Sequence, residues 1–214
     1  MCLKRLSFET SVHKIGIIAF DMDGLLFSEE EDHIFWEEIL PAAVGKEWGM
    51  ERKEVKRKLG KLFYEVYPRR YWWFDPSTWE NLLGVGGLED LFRKTVVLKK
   101  QLLVRRDFLF RLKENYRIGI ETNAAEKWAR EIVERVCKNM FNFIFTSDIA
   151  GAVKPEKKFY LNLLQFLNCN ADELLIVTHE SAEKVAEELG ISVLITTPEK
   201  VEEDLKEPLF CKGF

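Results

Sequence analysis

The apolar run Ile17-Ile18-Ala19-Phe20 leads straight into Asp21-Met22-Asp23-Gly24, so two carboxylates stand one residue apart at the end of a buried segment. Repulsion and desolvation both act against such a pair, and a cation or a retained proton is needed to offset them. Two adjacent carboxylates can divide the work of nucleophilic attack and proton transfer. Asp and Gly also follow strands simply as turn formers, so the pair alone leaves a turn as an open alternative. Three further segments beyond apolar runs carry polar groups of matching kinds: Thr122-Asn123, Lys154-Pro155 and Thr178-His179-Glu180-Ser181.

The elements that must position these groups are legible as apolar runs at 15–20, 117–121, 141–145, 174–177 and 192–196. Helical periodicity lies between the later runs, as in DFLFRLKEN, AEKWAREIVERV and PEKKFYLNLLQFL. Near-continuous apolar strands alternating with helices predict an α/β fold with a Rossmann-like parallel sheet covered on both faces. In such a sheet ligands bind beyond the carboxyl ends of the strands, where these polar segments fall. Residues 28–104 break the rhythm. They read as several helices with breaks at Pro41, Gly49, Pro68, Pro76 and Gly86-Gly87. The expectation is a core of residues 1–27 and 105–214 with a small all-helical cap, 28–104, inserted after the first strand.

At 214 residues the chain can bury a substantial core and hold such an insertion. With 47% hydrophobic and 32% charged residues and a net charge of −4, it carries no electrostatic footprint for nucleic acid or an anionic membrane. No stretch approaches 18 uncharged apolar residues, and the first residues lack the apolar core of a signal peptide, so a cytoplasmic protein is expected. Cys2, Cys137, Cys169 and Cys211 are scattered without CxxC spacing, which fits reduced thiols.

The polar segments together resemble the haloacid dehalogenase superfamily, dominated by magnesium-dependent phosphatases and phosphotransferases. FDMDGLL resembles its first motif, IGIETN its second and SDIAGAVKPEKKFY its third, in the right order, and the insertion sits where that family carries a helical cap. The resemblance implies a phosphatase acting on a small phosphorylated metabolite, as a monomer or homodimer. It implies Asp21 as nucleophile, Asp23 as general acid and base, Lys154 as the basic residue, and Thr122 with Asn123 at the phosphate. It implies Mg²⁺ held by the Asp21 carboxylate, the Asp23 backbone carbonyl and an acid after the fourth strand. On the residues alone, Lys154 could be a solvated lysine at a helix start, and Thr122 and Asn123 could cap the helix that follows.

The fourth motif departs from the family pattern. In LLIVTHESAEKVAEELG, counting forward puts His179 where the acid belongs, and counting back from Gly190 puts Thr178 there. Glu180 is the expected metal ligand, with Glu183 one turn further on. Without an acid, the chain would be a catalytically impaired binding protein on the same fold. A phosphomutase would share the same core. Haloacid dehalogenation itself is disfavoured, because that reaction needs no general acid and Asp23 supplies one. In the insertion, YEVYPRRYWWFDPSTW packs aromatics around Arg69 and Arg70; these two and Trp72 are candidates for substrate specificity, and the aromatics also serve as a small core.

Overall fold

Five strands, β1 (Ile17–Asp21), β2 (Arg117–Thr122), β3 (Phe143–Thr146), β4 (Leu174–Thr178) and β5 (Ser192–Ile195), form one parallel sheet in the order β3-β2-β1-β4-β5. The computed structural model describes residues 15–66, 70–179 and 184–209. The Rossmann-like α/β fold expected from the apolar runs is the fold observed.

Strand side chains alternate between two apolar layers, as the period of two requires. Ile18, Phe20, Ile118, Ile120, Leu175 and Val177 pack into one cluster. Ile17, Ala19, Phe143, Phe145, Leu174 and Ile176 pack into the other, against Phe159, Tyr160 and Leu163 of the helix Lys157–Leu167. The helices Arg106–Asn115 and Glu126–Val136 cover the first face, the latter through Trp128, Ala129, Ile132 and Val133. Both faces are therefore buried, and β1 sits at the centre of the sheet with every residue buried.

Between β1 and β2 the described chain is helical. Its buried residues, among them Phe35, Val44, Trp79 and Phe92, belong to the same apolar cluster as the first face of the sheet. The expected break at Pro41 does not occur. Helical turns run from Glu30 to Trp48 through a wide π segment, Phe35–Ile39, in which the Leu40 N–H reaches back to the Phe35 carbonyl. That wide turn lies directly before the residue with no N–H to donate, so the helix passes the proline without stopping. The other expected interruptions have ordinary causes. Gly49 closes its helix in the left-handed region, and Pro76 occupies the first turn of Pro76–Leu83 behind the N-cap Asp75. Pro68 lies outside the described residues. The helix Leu88–Phe92 continues through a wide segment, Arg93–Val97, and ends there, and Lys100 beyond it turns inward and is buried. The two crossings between the helical segment and the sheet run side by side, Phe27 against Leu102, with the Leu103 N–H donating to the Leu26 carbonyl at 2.9 Å.

Candidate active site

Asp21, Thr122 and Thr178 are the last residues of β1, β2 and β4, and parallel register brings them to one edge of the sheet. Asp21 is 6% exposed and all its partners are in reach. The Lys154 ammonium lies 2.9 Å from Oδ1, the Met22 N–H donates to the same oxygen at 2.8 Å, and the Thr178 hydroxyl donates to Oδ2 at 3.0 Å. The His179 imidazole stands 3.6 Å from Oδ2. Burial works against the charge on Asp21, but Lys154 and His179 outweigh it and hold the carboxyl below its ordinary value of 3.8.

Lys154 is a buried lysine bridging two carboxylates. Its ammonium also lies 2.9 Å from Glu121, which is fully buried in β2 beside Asp21. Its backbone is fixed as well, since the Lys154 N–H donates to Asn123 Oδ1 at 2.7 Å. Thus Asn123, expected at a phosphate, spends its side-chain oxygen on holding Lys154, while it still lines the cavity. The Thr122 hydroxyl accepts from the Ala124 N–H at 3.0 Å and also lines the cavity. Neither residue caps the next helix: the Glu126 N–H donates to both carboxylate oxygens of Asp148 at 3.1 Å.

Asp23 lies in a second ionic cluster. Lys100, with no side-chain exposure, places its ammonium 2.7 Å from Asp23 Oδ1 and also bonds the Asp32 carboxylate and the Ser28 carbonyl. Burial pushes the Asp23 carboxyl above its ordinary value, the charge on Asp21 adds to that, and Lys100 opposes it. Asp32 is pushed up to about 7 by burial and by Asp23. Burial would lower Lys100, but the two carboxylates outweigh it and hold the ammonium charged.

The expected site residues therefore divide. Asp21, Asp23, Thr122, Asn123 and Lys154 converge on one cavity of about 400 Å³. Arg70 is exposed and Trp72 packs against Trp79, and neither lines that cavity. Arg69, Glu180 and Glu183 lie outside the described residues. Both residues offered by the two counts for the fourth motif face Asp21: Thr178 ends the strand with its hydroxyl 3.0 Å from Oδ2, and His179 takes the next position at 3.6 Å from the same oxygen. Gly24, at φ 79°, makes room for that ring, because an added Cβ would fall inside it. For a hard cation the described donors fit in part. Asp21 brings carboxylate oxygen, but His179 brings nitrogen, and no group of three His, Cys, Asp or Glu able to hold a metal occurs among the described residues.

Sequence reasoning missed Glu121, Lys100 and Asp32. Glu121 had a readable signal, since a carboxylate inside the buried run IGIE requires a cation. Asp32 is hidden in the acidic run EEED, and Lys100 in LKK reads like any solvated pair.

The model of the haloacid dehalogenase-like hydrolases matches residues 18–195. The chain belongs to that family. Among solved structures, this family member resembles a HAD phosphatase from Thermococcus onnurineus at 18% identity, covering 89% of this chain and 97% of that one, with a TM-score of 0.71. It also resembles a HAD family enzyme from Bacteroides thetaiotaomicron, solved with magnesium and inorganic phosphate, at 15% identity, covering 86% and 95%, TM-score 0.62. An L-2-haloacid dehalogenase matches at 15% identity, covering 88% and 86%, TM-score 0.57. At these identities the likeness is one of fold. No curated protein sequence matches the chain. Among the described residues of this HAD-like hydrolase, no helix is long and apolar enough to cross a membrane.

Proposed function

We propose that this HAD-like hydrolase is a magnesium-dependent phosphatase that cleaves a small phosphorylated metabolite through an aspartyl-phosphate on Asp21. The observation that carries the reading is the placing of two carboxyls on one cavity with different partners, Asp21 on Lys154 at 2.9 Å and Asp23 on Lys100 at 2.7 Å, and these surroundings move Asp21 below its ordinary value and Asp23 above it. Paired carboxyls pulled apart in this way suit one nucleophile and one acid. A dehalogenase needs only the first.

In the first step a carboxylate oxygen of Asp21 attacks phosphorus, the bond from phosphorus to the ester oxygen breaks, and the proton of Asp23 passes to the departing alkoxide. In the second step Asp23, now a carboxylate, takes a proton from water as the water oxygen attacks phosphorus. The acyl-phosphate bond then breaks, which returns the Asp21 carboxylate and releases phosphate. Lys154 orients the nucleophile and offers positive charge to the transferring oxygens, and Thr122 and Asn123 border the same space. When bound, Mg²⁺ would neutralise charge on the phosphoryl oxygens; Asp21, the Asp23 backbone carbonyl and Glu180 are the residues that would hold it. The Bacteroides enzyme with magnesium and inorganic phosphate supports this choice of ion.

The test is a screen of phosphate monoesters with and without Mg²⁺, run beside Asp21→Asn. Turnover that needs Mg²⁺ and vanishes in the variant is expected. No turnover by the wild type, or turnover unchanged by the substitution, refutes the reading. The His179 imidazole, a nitrogen donor 3.6 Å from Asp21, favours one second reading, a binding protein with an impaired metal site. That reading predicts no beryllofluoride adduct at Asp21, and detecting the adduct rules it out.

A further inference from the structure

Resting on the phosphatase reading, we propose that the alcohol portion of the substrate carries an apolar ring and no second anionic group. Two chemically different sets of side chains line the cavity. One is Asp21, Asp23, Lys154 and His179. The other is an aromatic set, Trp36, Phe74 and Phe92 from the helical segment and Trp128 from the core. Its volume of about 400 Å³ suits a small molecule.

Neighbouring rings hold the aromatic wall in place. Phe92 stands edge-on to Trp128 at 5.3 Å between centroids and lies 6.3 Å from Trp36. Phe35 packs edge-on behind Phe92 at 4.9 Å. The one polar atom of Trp128 is used on Asp75, at 3.2 Å, and the Lys127 ammonium sits 4.6 Å over its ring. Rings fixed by their neighbours lose little freedom when a flat apolar group packs on them, so the wall rewards a ring more than a flexible hydroxylated chain.

The charges around the cavity select in the same direction. Among the described lining residues Lys154 is the sole Lys or Arg, and it is engaged by Asp21 and Glu121. Two further acids, Glu29 and Asp32, line the cavity. A carboxylate or second phosphate on the alcohol would face these acids with no second lysine or arginine among the described lining residues and only the His33 and His179 imidazoles to receive it, whereas an uncharged ring meets no such penalty.

The test compares phenyl phosphate with 3-phosphoglycerate as substrates, and phenylphosphonate with phosphonoacetate as ligands by calorimetry. The expected result is a kcat/KM about tenfold to a hundredfold higher for phenyl phosphate, the range that burying one ring supports, and tighter binding of phenylphosphonate. Phe74→Ala, at a ring that is 36% exposed, should lower that ratio several-fold. Glu29→Lys, at a side chain that is 67% exposed, should raise the relative use of 3-phosphoglycerate. Equal or better use of 3-phosphoglycerate, with phosphonoacetate bound as tightly, overturns the inference and leaves the phosphatase reading standing. No turnover of any ester overturns the phosphatase reading, and the inference falls with it.

Discussion

Replacing Lys100 by methionine keeps most of the buried hydrocarbon and removes the ammonium that joins Asp23 to Asp32. In the wild type that ammonium has no exposed side-chain surface and lies 2.7 Å from Asp23. Without it, two carboxyls remain, 30% and 25% exposed, and neither keeps its cation. Asp32 already bears most of its burden in the wild type, since its pKa is about 7. Asp23 is raised too, but Lys100 is what most opposes that rise, so the new cost falls mainly on Asp23. Its ceiling is the free energy of holding a proton on a carboxyl whose ordinary value is 3.8, which at pH 7 is about 4 kcal/mol. That agrees with the roughly 3–5 kcal/mol lost when one partner of a buried pair is removed. The sign with pH follows. Between about 3.8 and the raised folded value, the folded variant binds more protons than the unfolded chain, so its stability falls as pH rises. At pH 5 the same ceiling is about 1.6 kcal/mol. Urea denaturation with EDTA present should show the variant destabilised by about 3–4 kcal/mol at pH 7, and by less than half of that at pH 5. A loss under about 1 kcal/mol at pH 7, or one that does not shrink at pH 5, refutes this account of the cluster.

Gly24→Ala should cost about 1–3 kcal/mol, because the position is left-handed and the new Cβ displaces the His179 ring; urea midpoints and the His179 imidazole resonances check it. Asp75→Ala removes the acceptor of the Ser77 N–H and of the nearly buried Trp128 Nε1–H, both at 3.2 Å. About 2–4 kcal/mol of stability should be lost, read by thermal or urea unfolding, and a value under about 1 kcal/mol contradicts the assigned bonds. Burial pushes the Cys137 thiol up to about 12, so at pH 8 it should resist labelling in the folded protein and react on unfolding, as peptide mapping after modification will show.

What could be read from the chain was the part written in consecutive residues. The strand runs and their order, the placing of Asp21 and Thr122 at strand ends, and Lys154 beyond the third run all follow from local periodicity and from the rule that parallel strands present ligands at their carboxyl ends. The placing of Thr178 and His179 at the end of the fourth run was equally local. What the chain could not tell was which distant side chains complete each charge. Lys100 is 77 positions from Asp23, and Lys154 is 33 from Glu121. The aromatics of YEVYPRRYWWFDPSTW illustrate the same limit: the segment reads as a recognition surface or as a small core, and packing divides it, with Phe74 reaching the cavity while Trp72 turns to Trp79. The sequence by itself determined the sheet, its open edge and the two aspartates there, because backbone periodicity dictates those. Only the tertiary structure decided that Lys154 holds Asp21 ionised, that Lys100 sits against Asp23, and that rings from two parts of the chain wall the cavity. Burial makes a charge depend on whichever partner lies within a few ångströms, and that nearness is set by packing and not by position along the chain.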